Sequence, residues 1–301
     1  MGVQIPYKRD LQFEYGSCDQ ISPGIRRVIA YNPSPFTFHG TGTYILGQGD
    51  VAVIDPGPAD PEHIKAILQA TQGETITHIL VTHTHTDHSP GCRLLTQHCD
   101  AKTYAYGPHG AGKLEEGVQV EEGGDMEFEP DVKVSDGQIL QGTSWQVECV
   151  YTPGHTSNHM CYQLVGEGAL FTGDHVMGWS TTIVSPPDGD MAAYMQSLEK
   201  LLQRNDSVYW PTHGPAITEP QDFVKAYIAH REEREAQLLA CIDEGYELIE
   251  EMIPVMYTDT PKYMFPAAAR SALAGIEYLV KRGVLQVDGD VSMKARYRRN
   301  A

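Results

Sequence analysis

Over the first 220 residues, short apolar runs alternate with turns that are rich in glycine and proline. Runs of six or seven residues that are β-branched or alternate between apolar and polar are typical of strands. Longer stretches with helical spacing separate some of these runs, and one of them begins after Asp190, a residue type that caps helices. The pattern predicts strands at 25–30, 43–46, 51–55, 75–81, 101–106, 145–151, 160–165, 169–172 and 207–211, and helices at 61–68, 92–99 and 190–204. We therefore expect a layered α/β domain over residues 1–220.

Residues 221–301 have a different pattern. Apolar positions at helical spacing predict helices at 221–250, 247–257 and 270–281. A hairpin is predicted over 284–295, around the turn signal Asp288-Gly289-Asp290. Helices followed by a hairpin are typical of a small winged-helix module, and an apolar brace against the main domain is the alternative. We expect a separate C-terminal domain over residues 221–301.

The strand predicted at 75–81 runs directly into the segment Thr82-His83-Thr84-His85-Thr86-Asp87-His88. In an extended segment, residues i and i+2 point to the same side, so His83 and His85 can converge on one metal ion. Asp87 and His88 lie past the strand end, where the chain turns, and can reach a second position nearby. Imidazole and carboxylate are ligands that Zn²⁺ and related divalent ions accept. The segment therefore predicts a metal site.

Three further residues of the same kinds follow predicted strands, namely His155, Asp174 and His213. In layered α/β folds, ligands gather where strand ends meet loops. We therefore expect these three side chains to join the first four in one metal-binding cluster.

The net charge of −18 is distributed unevenly. Residues 1–220 contain 11 Lys and Arg against 27 Asp and Glu, a net charge of −16, whereas residues 221–301 carry −2. Nine carboxylates lie between Glu115 and Asp136, and residues 107–136 are predicted to form an exposed connection. A strongly acidic body repels polyanions, which argues against tight nucleic-acid binding by the first 220 residues.

No run of 18 apolar residues occurs, so no membrane span is predicted. The first residues lack the apolar core of a signal peptide. Six scattered cysteines without a CxxC pair are typical of reduced thiols. Together these features predict a cytoplasmic protein that does not associate with membranes.

Four segments together resemble the metal motifs of the metallo-β-lactamase superfamily. Asp55 also resembles the early aspartate of that superfamily. The resemblance implies an αβ/βα sandwich for about residues 20–220. More closely, the chain resembles the β-lactamase-like protein 2 group in stretches such as Tyr194-Met195-Gln196-Ser197-Leu198, Ala229-His230-Arg231-Glu232-Glu233-Arg234-Glu235 and Met293-Lys294-Ala295. This resemblance implies a C-terminal winged helix. The four segments are His83-Thr84-His85-Thr86-Asp87-His88, Thr152-Pro153-Gly154-His155-Thr156, Thr172-Gly173-Asp174-His175 and Thr212-His213-Gly214-Pro215.

The resemblance implies two Zn²⁺ ions per chain, with iron and manganese as the alternatives. It assigns His83, His85 and His155 to one ion, Asp87, His88 and His213 to the second, and Asp174 to the bridge between them. The candidate catalytic residues are Asp87, Asp174 and His175, the last placed beside the ligands or against the substrate.

Two functions from different classes follow from this resemblance. The first is a binuclear zinc-dependent hydrolase in which a metal-bridging hydroxide attacks an ester, thioester or related acyl substrate. The alternative is a zinc-dependent endoribonuclease that holds single-stranded RNA with its winged helix. The acidic body favours a small-molecule acyl substrate over RNA.

Overall fold

Two mixed sheets face each other in the computed structural model, which describes residues 2–110 and 123–300. The first sheet has seven strands in sequence order. They are β1 (Cys18–Ser22), β2 (Ile25–Ile29), β3 (Gly42–Leu46), β4 (Asp50–Ile54), β5 (Thr75–Leu80), β6 (Lys102–Ala105) and β7 (Val132–Lys133). From β4 onward neighbouring strands are parallel, so the ends of β4 and β5 meet at the same edge of the sheet.

The second sheet has five strands in the order β12-β11-β10-β9-β8. They are β8 (Ile139–Gln141), β9 (Gln146–Tyr151), β10 (Met160–Leu164), β11 (Ala169–Gly173) and β12 (Val208–Pro211). Strands β11 and β12 are parallel, whereas the other pairs are antiparallel. The carboxyl ends of β11 and β12 therefore lie side by side.

Helices cover the outer face of each sheet. They are α1 (Pro61–Ala70), α2 (Cys92–Leu95) and α3 (Met191–Leu202). Alternation along β4 shows how the layers form, because Ala52 and Ile54 lie in the core between the sheets and Val51 and Val53 pack toward α1. The expected αβ/βα sandwich is confirmed.

The helix predicted after Asp190 begins as expected, and α1 has the same kind of cap. Asp190 caps α3, and its side chain accepts a hydrogen bond from the backbone N–H of Ala193 at 2.9 Å. Asp60 caps α1 in the same way, and Pro61 occupies the first turn, where its missing N–H is not needed.

The C-terminal region contains three α-helices, a short 3₁₀-helix and a two-stranded sheet. The prediction of helices followed by a hairpin is confirmed, but the second strand does not lie within 291–295 as expected. Strand β14 begins at Tyr297, whose buried ring and hydroxyl anchor the preceding loop through Ser292. The elements are α4 (Pro220–Asp243), α5 (Ile249–Met256), the 3₁₀-helix Lys262–Met264, α6 (Phe265–Lys281), β13 (Leu285–Val287) and β14 (Tyr297–Arg299).

The first half of α4 packs against the outer face of the second sheet. Phe223, Val224 and Tyr227 share a hydrophobic cluster with Tyr194 of α3. The Tyr227 hydroxyl also donates to the carbonyl of Met177 at 2.7 Å. These contacts fix the C-terminal helices to the first 220 residues, and the division at residue 220 remains a prediction.

The acidic connection is only partly described, since residues 111–122 lie outside the described residues. Its second half is not simply exposed as expected, because Asp125 and Phe128 are buried. The Asp125 carboxylate accepts hydrogen bonds from Ser89 Oγ at 2.8 Å and from Arg93 Nη1 at 2.9 Å. Residues 123–125 therefore pack against the segment that carries the candidate metal ligands.

Candidate metal centre

The candidate ligands come together at the carboxyl ends of two parallel strand pairs. Asp55 follows β4 and the segment 83–88 follows β5 in the first sheet, while Asp174 and His213 follow β11 and β12 in the second. His155 lies in the turn after β9. Because both pairs end at the same side of the sandwich, residues far apart in sequence become neighbours.

His83, His85 and His155 form the first group of potential ligands. His83 Nε2 lies 3.0 Å from His85 Nδ1, and His155 Nε2 lies 3.1 Å from the same atom. Burial, followed by neighbouring histidines, lowers the pKa of His83 and of His85 well below 6.5. The imidazoles are therefore neutral at pH 7, which is the state that binds a metal ion.

Asp87, His88 and His213 form a second group. The Asp87 Oδ2 atom lies 3.1 Å from His213 Nε2 and 3.4 Å from His88 Nε2. Burial alone would lower the pKa of His213, but the carboxylates of Asp174 and Asp87 raise it to about 10. A divalent cation bound here would displace that proton and take over the carboxylate contacts.

Asp174 lies between the two groups. Its carboxylate is 3.4 Å from His213 Nε2, 3.6 Å from His88 Nε2 and 3.9 Å from His155 Nε2. It also forms a third potential ligand group with His83 and His88. Asp174 is thus close to side chains of both outer groups, and the bridging role that the resemblance implies for it remains a prediction.

The donor set fits a bound metal ion. His88 Nε2 and Asp174 Oδ1 are buried and have no hydrogen-bond partner in the described part of the chain. Such polar atoms are costly to bury unless something binds them. Both atoms belong to the same ligand group, so a cation between them would satisfy both.

Asp55 forms hydrogen bonds that hold parts of this cluster in position. Its carboxylate accepts hydrogen bonds from the backbone N–H and the hydroxyl of Thr82, both at 2.7 Å, and from Thr212 Oγ1 at 3.2 Å. His88 Nδ1 donates to the same carboxylate at 2.9 Å. Asp55 therefore ties the end of β5 to the end of β12 and fixes the ring that presents Nε2 to the cluster.

His175 lies apart from the ligand groups. It is fully buried, and its ring packs beside Tyr194 and His159, with centroid distances of 4.7 and 5.7 Å. Burial lowers its pKa to about 3, so it is neutral at pH 7. The catalytic role expected of His175 remains a prediction.

Several supporting residues have no signal in the sequence because they act through contacts between distant segments. His155 Nδ1 donates to the carbonyl of Ile183 at 2.6 Å, and the Thr182 hydroxyl donates to the carbonyl of Asp174 at 2.7 Å. Arg231 of α4 donates in turn to the carbonyl of Thr182. The segment 177–183 thus connects the metal centre with the C-terminal helices.

The two facing sheets and the cluster of histidine and aspartate at their strand ends define a metallohydrolase fold. The chain belongs to the metallo-beta-lactamase superfamily, whose family model matches residues 37–213. The resemblance inferred from the four motifs is confirmed. The protein is therefore a hydrolase of this superfamily with side chains that are able to hold metal.

Two curated relatives and one solved structure extend this assignment. The chain is 32% identical over 279 residues to a beta-lactamase-like protein 2 homolog of Drosophila melanogaster, covering 89% of this chain and 91% of that protein. It is 32% identical over 230 residues to an atrochrysone carboxyl ACP thioesterase of a Cryptosporiopsis species, covering 75% of this chain and 65% of that protein. A beta-lactamase domain protein from Burkholderia ambifaria superposes with a TM-score of 0.79 at 20% identity, covering 96% and 95% of the two chains. This last likeness supports the fold alone.

Within residues 2–110 and 123–300, none of the helices combines the length and the apolar character needed to cross a bilayer.

Proposed function

We propose that the protein is a binuclear zinc-dependent hydrolase of small ester or thioester substrates. The observation that carries this proposal is the position of Asp174 between two ligand groups, one made of three histidines and one made of Asp87, His88 and His213. Imidazole and carboxylate donors at these distances suit a pair of zinc ions, and iron or manganese are the alternatives that elemental analysis separates.

Two bound divalent ions would supply Lewis-acid polarisation of the acyl carbonyl and activation of water near neutral pH. The residues of the chain orient this chemistry. The carbonyl of Ile183 fixes the ring of His155, and the carboxylate of Asp55 fixes the ring of His88.

Asp87 is the candidate proton acceptor. Its side chain is 19% exposed, whereas that of Asp174 is 8% exposed. Thr41 Oγ1 donates to Asp87 Oδ2 at 3.3 Å and holds the carboxylate in place. We infer that Asp87 lies on the substrate side of the cluster, where it orients a water molecule and accepts its proton.

Three observations support an acyl substrate over RNA. One relative carries the name of a thioesterase. The first 220 residues carry a net charge of −16, which opposes a phosphate backbone. The C-terminal arginines that would contact RNA form ion pairs instead, Arg298 with Glu247 at 2.6 Å and Arg299 with Asp243 at 2.8 Å.

All six cysteines are free in the structure, which supports a reducing compartment such as the cytoplasm. The helices followed by the β13–β14 hairpin support a winged-helix-like module over residues 221–301.

A hydrolysis panel on the zinc-loaded protein tests the function. It spans a simple thioester, an ester, a lactone, a phosphodiester and single-stranded RNA. We expect the thioester or ester to have the highest kcat/KM and activity to disappear when zinc is chelated. Hydrolysis of the phosphodiester or RNA without turnover of any acyl substrate would contradict the proposal.

A further inference from the structure

A cavity of about 240 Å³ lies between segment 177–183 and the C-terminal helices. Its apolar walls come from Phe36, Met177, Ile183 and Met264. Its arginine and histidine side chains come from α4, and its hydroxyl groups come from segment 177–183 and the C-terminal region. The cavity is thus built from both halves of the chain, and it adjoins the segment that holds two of the candidate ligands.

The charge of this cavity is opposite to that of the protein. Arg231 and Arg234 line it, and no aspartate or glutamate does so among the described residues. His230 also lines it and is neutral at pH 7, because burial and then the two arginines lower its pKa to about 3. The two guanidinium groups therefore give a local positive charge within a chain of net charge −18.

Arg231 is buried, with 9% of its surface exposed. One of its terminal nitrogens donates to the carbonyl of Thr182, and its guanidinium lies 5.0 Å from the centre of the Tyr194 ring. Its Nε atom is buried without a hydrogen-bond partner in the described part of the chain. No described carboxylate forms an ion pair with it, although Glu199, Glu232 and Glu235 line a neighbouring cavity together with Arg231.

Arg234 has only neutral partners among the described residues. Its Nη1 donates to Gln237 Oε1 at 2.7 Å and to the carbonyl of Met256 at 3.0 Å. The guanidinium lies 4.4 Å from the centre of the Tyr257 ring. These contacts orient the group, and no described carboxylate forms an ion pair with it.

Trp179 adds a second donor without a partner. Its indole lines the cavity and stacks on Phe38 with a centroid distance of 4.8 Å. Trp179 Nε1 is buried and has no acceptor in residues 2–110 and 123–300. Two side chains that line the cavity, Trp179 and Arg231, thus each contain an N–H donor without an acceptor among the described residues.

The cavity is coupled to the metal centre through its wall. Thr182 and Ile183 line the cavity and at the same time contact the backbone of Asp174 and the ring of His155. A small molecule held here would have one end beside the segment that contacts Asp174 and His155.

We propose that this cavity binds an oxyanion of the substrate, held by Arg231, Arg234 and the indole N–H of Trp179. The inference rests on the proposed acyl hydrolase function and specifies the substrate class as an ester or thioester with a carboxylate or phosphate and a short apolar stem. Guanidinium groups match the planar geometry of carboxylate and phosphate oxygens. The oxyanion is either a carboxylate at the far end of the acyl group or a phosphate on the leaving thiol.

Binding is measured first, independently of turnover. The zinc-loaded protein is titrated with glutarate and with phosphopantetheine, and its melting temperature and the heat of binding are recorded. We expect at least one of these anions to bind and to raise Tm, with binding lost in Arg234→Gln and partly retained in Arg234→Lys. Arg296→Gln, at an exposed arginine paired with Glu247, is the matched control and keeps the binding.

Turnover then identifies the source of the oxyanion. The first pair of substrates is the butyryl and glutaryl thioesters of one simple thiol, which differ in the terminal carboxylate. The second pair is butyryl pantetheine and butyryl phosphopantetheine, which differ only in the phosphate on the leaving group. We expect one member of one pair to be preferred, and the preference in kcat/KM to fall about tenfold or more in Arg234→Gln, as for loss of a charge-assisted hydrogen bond.

The outcomes separate this inference from the proposed function. If the neutral thioester is hydrolysed but neither anion binds and neither pair shows a preference, the oxyanion site is wrong and the hydrolase function stands. If anions bind in an Arg234-dependent way but no acyl substrate is hydrolysed, the function is wrong and the site stands. If single-stranded RNA is the only competitor that displaces the bound anion from the cavity, the assignment to a small molecule is overturned.

Discussion

Nδ1 of His88 donates a hydrogen bond to the carboxylate of Asp55 at 2.9 Å, and both side chains are almost completely buried. An ionised carboxylate can only accept, so this contact places a hydrogen on Nδ1 and leaves Nε2 as the nitrogen that can bind a metal. Burial alone would lower the pKa of His88, but the carboxylates of Asp87, Asp174 and Asp55 raise it well above 6.5, so a bound metal would displace the proton on Nε2. Asp55 adopts a φ of +48°, which an aspartate tolerates better than most residues. The backbone conformation and the hydrogen bond together orient His88.

Asp55→Asn tests this relationship, since asparagine also tolerates a positive φ and keeps the shape of the side chain. The amide cannot accept all four hydrogen bonds that the carboxylate receives, so the ring of His88 loses its fixed tautomer. We expect zinc affinity to fall about 10–100-fold, as measured by competition with a chelator. Asp100→Asn, at an exposed position, is the control, and equal affinity in both variants would contradict the role of Asp55.

Asp174→Ala removes the carboxylate that lies between the two ligand groups. We expect two metal ions per chain in the zinc-loaded wild type and fewer than two in this variant, with activity abolished. The circular dichroism spectrum should remain similar, since the side chain contributes no packing to the hydrophobic clusters. Normal turnover with two metals still bound would refute the bridging position.

The sequence predicts the architecture and the ligand cluster because both depend on local patterns. Strands such as β5 carry alternating or continuous apolar residues, and the ligands come directly after them. Asp190 illustrates the same point for helices, since one capping residue marks the start of α3. The four metal motifs are each short and continuous, so they are visible without the fold.

The parts that the sequence does not predict depend on contacts between distant segments. Arg231 contacts Thr182 across 49 positions in the chain, and no local pattern identifies that contact. The predicted position of the second strand of the C-terminal hairpin is wrong, because the burial of Tyr297, rather than the turn signal, determines the register. His175 follows Asp174 in the motif, yet its ring packs into the interior beside Tyr194.

The buried residue His63 makes stability depend on pH. Burial lowers its pKa from 6.5 to about 4 in the folded protein. Between these values the unfolded chain binds a proton that the folded chain does not, so the free energy of unfolding decreases as pH falls. The stabilisation is complete above pH 6.5, and the loss by pH 4 amounts to about 3 kcal/mol for this one group.

His63→Gln tests the effect, since glutamine can still donate to Thr43 Oγ1, which lies 2.7 Å from His63 Nε2. We expect urea denaturation between pH 7.5 and 4.5 to show a flatter pH dependence in this variant than in the wild type. Comparison at each pH removes contributions shared by both proteins, including protonation of the metal ligands. The exposed residue His98 provides the control variant, His98→Gln, and an identical slope in all three proteins would disprove the role of His63.

The choice between acyl hydrolysis and RNA cleavage can be made by varying salt. A protein that holds RNA through phosphate contacts loses affinity steeply as the salt concentration rises, because the free-energy gain from counterion release becomes smaller. The binding of a neutral thioester has no such dependence on salt. The acidic body and the ion pairs of Arg298 and Arg299 leave few free cations for a phosphate backbone. We therefore expect kcat/KM for a neutral thioester to exceed that for unstructured RNA, and to change by less than about twofold between low and moderate salt. RNA cleavage that is fast, zinc-dependent and weakened by salt, with no ester or thioester turnover, would reverse the assignment, because short-range contacts at the metal pair would then outweigh the repulsive average field.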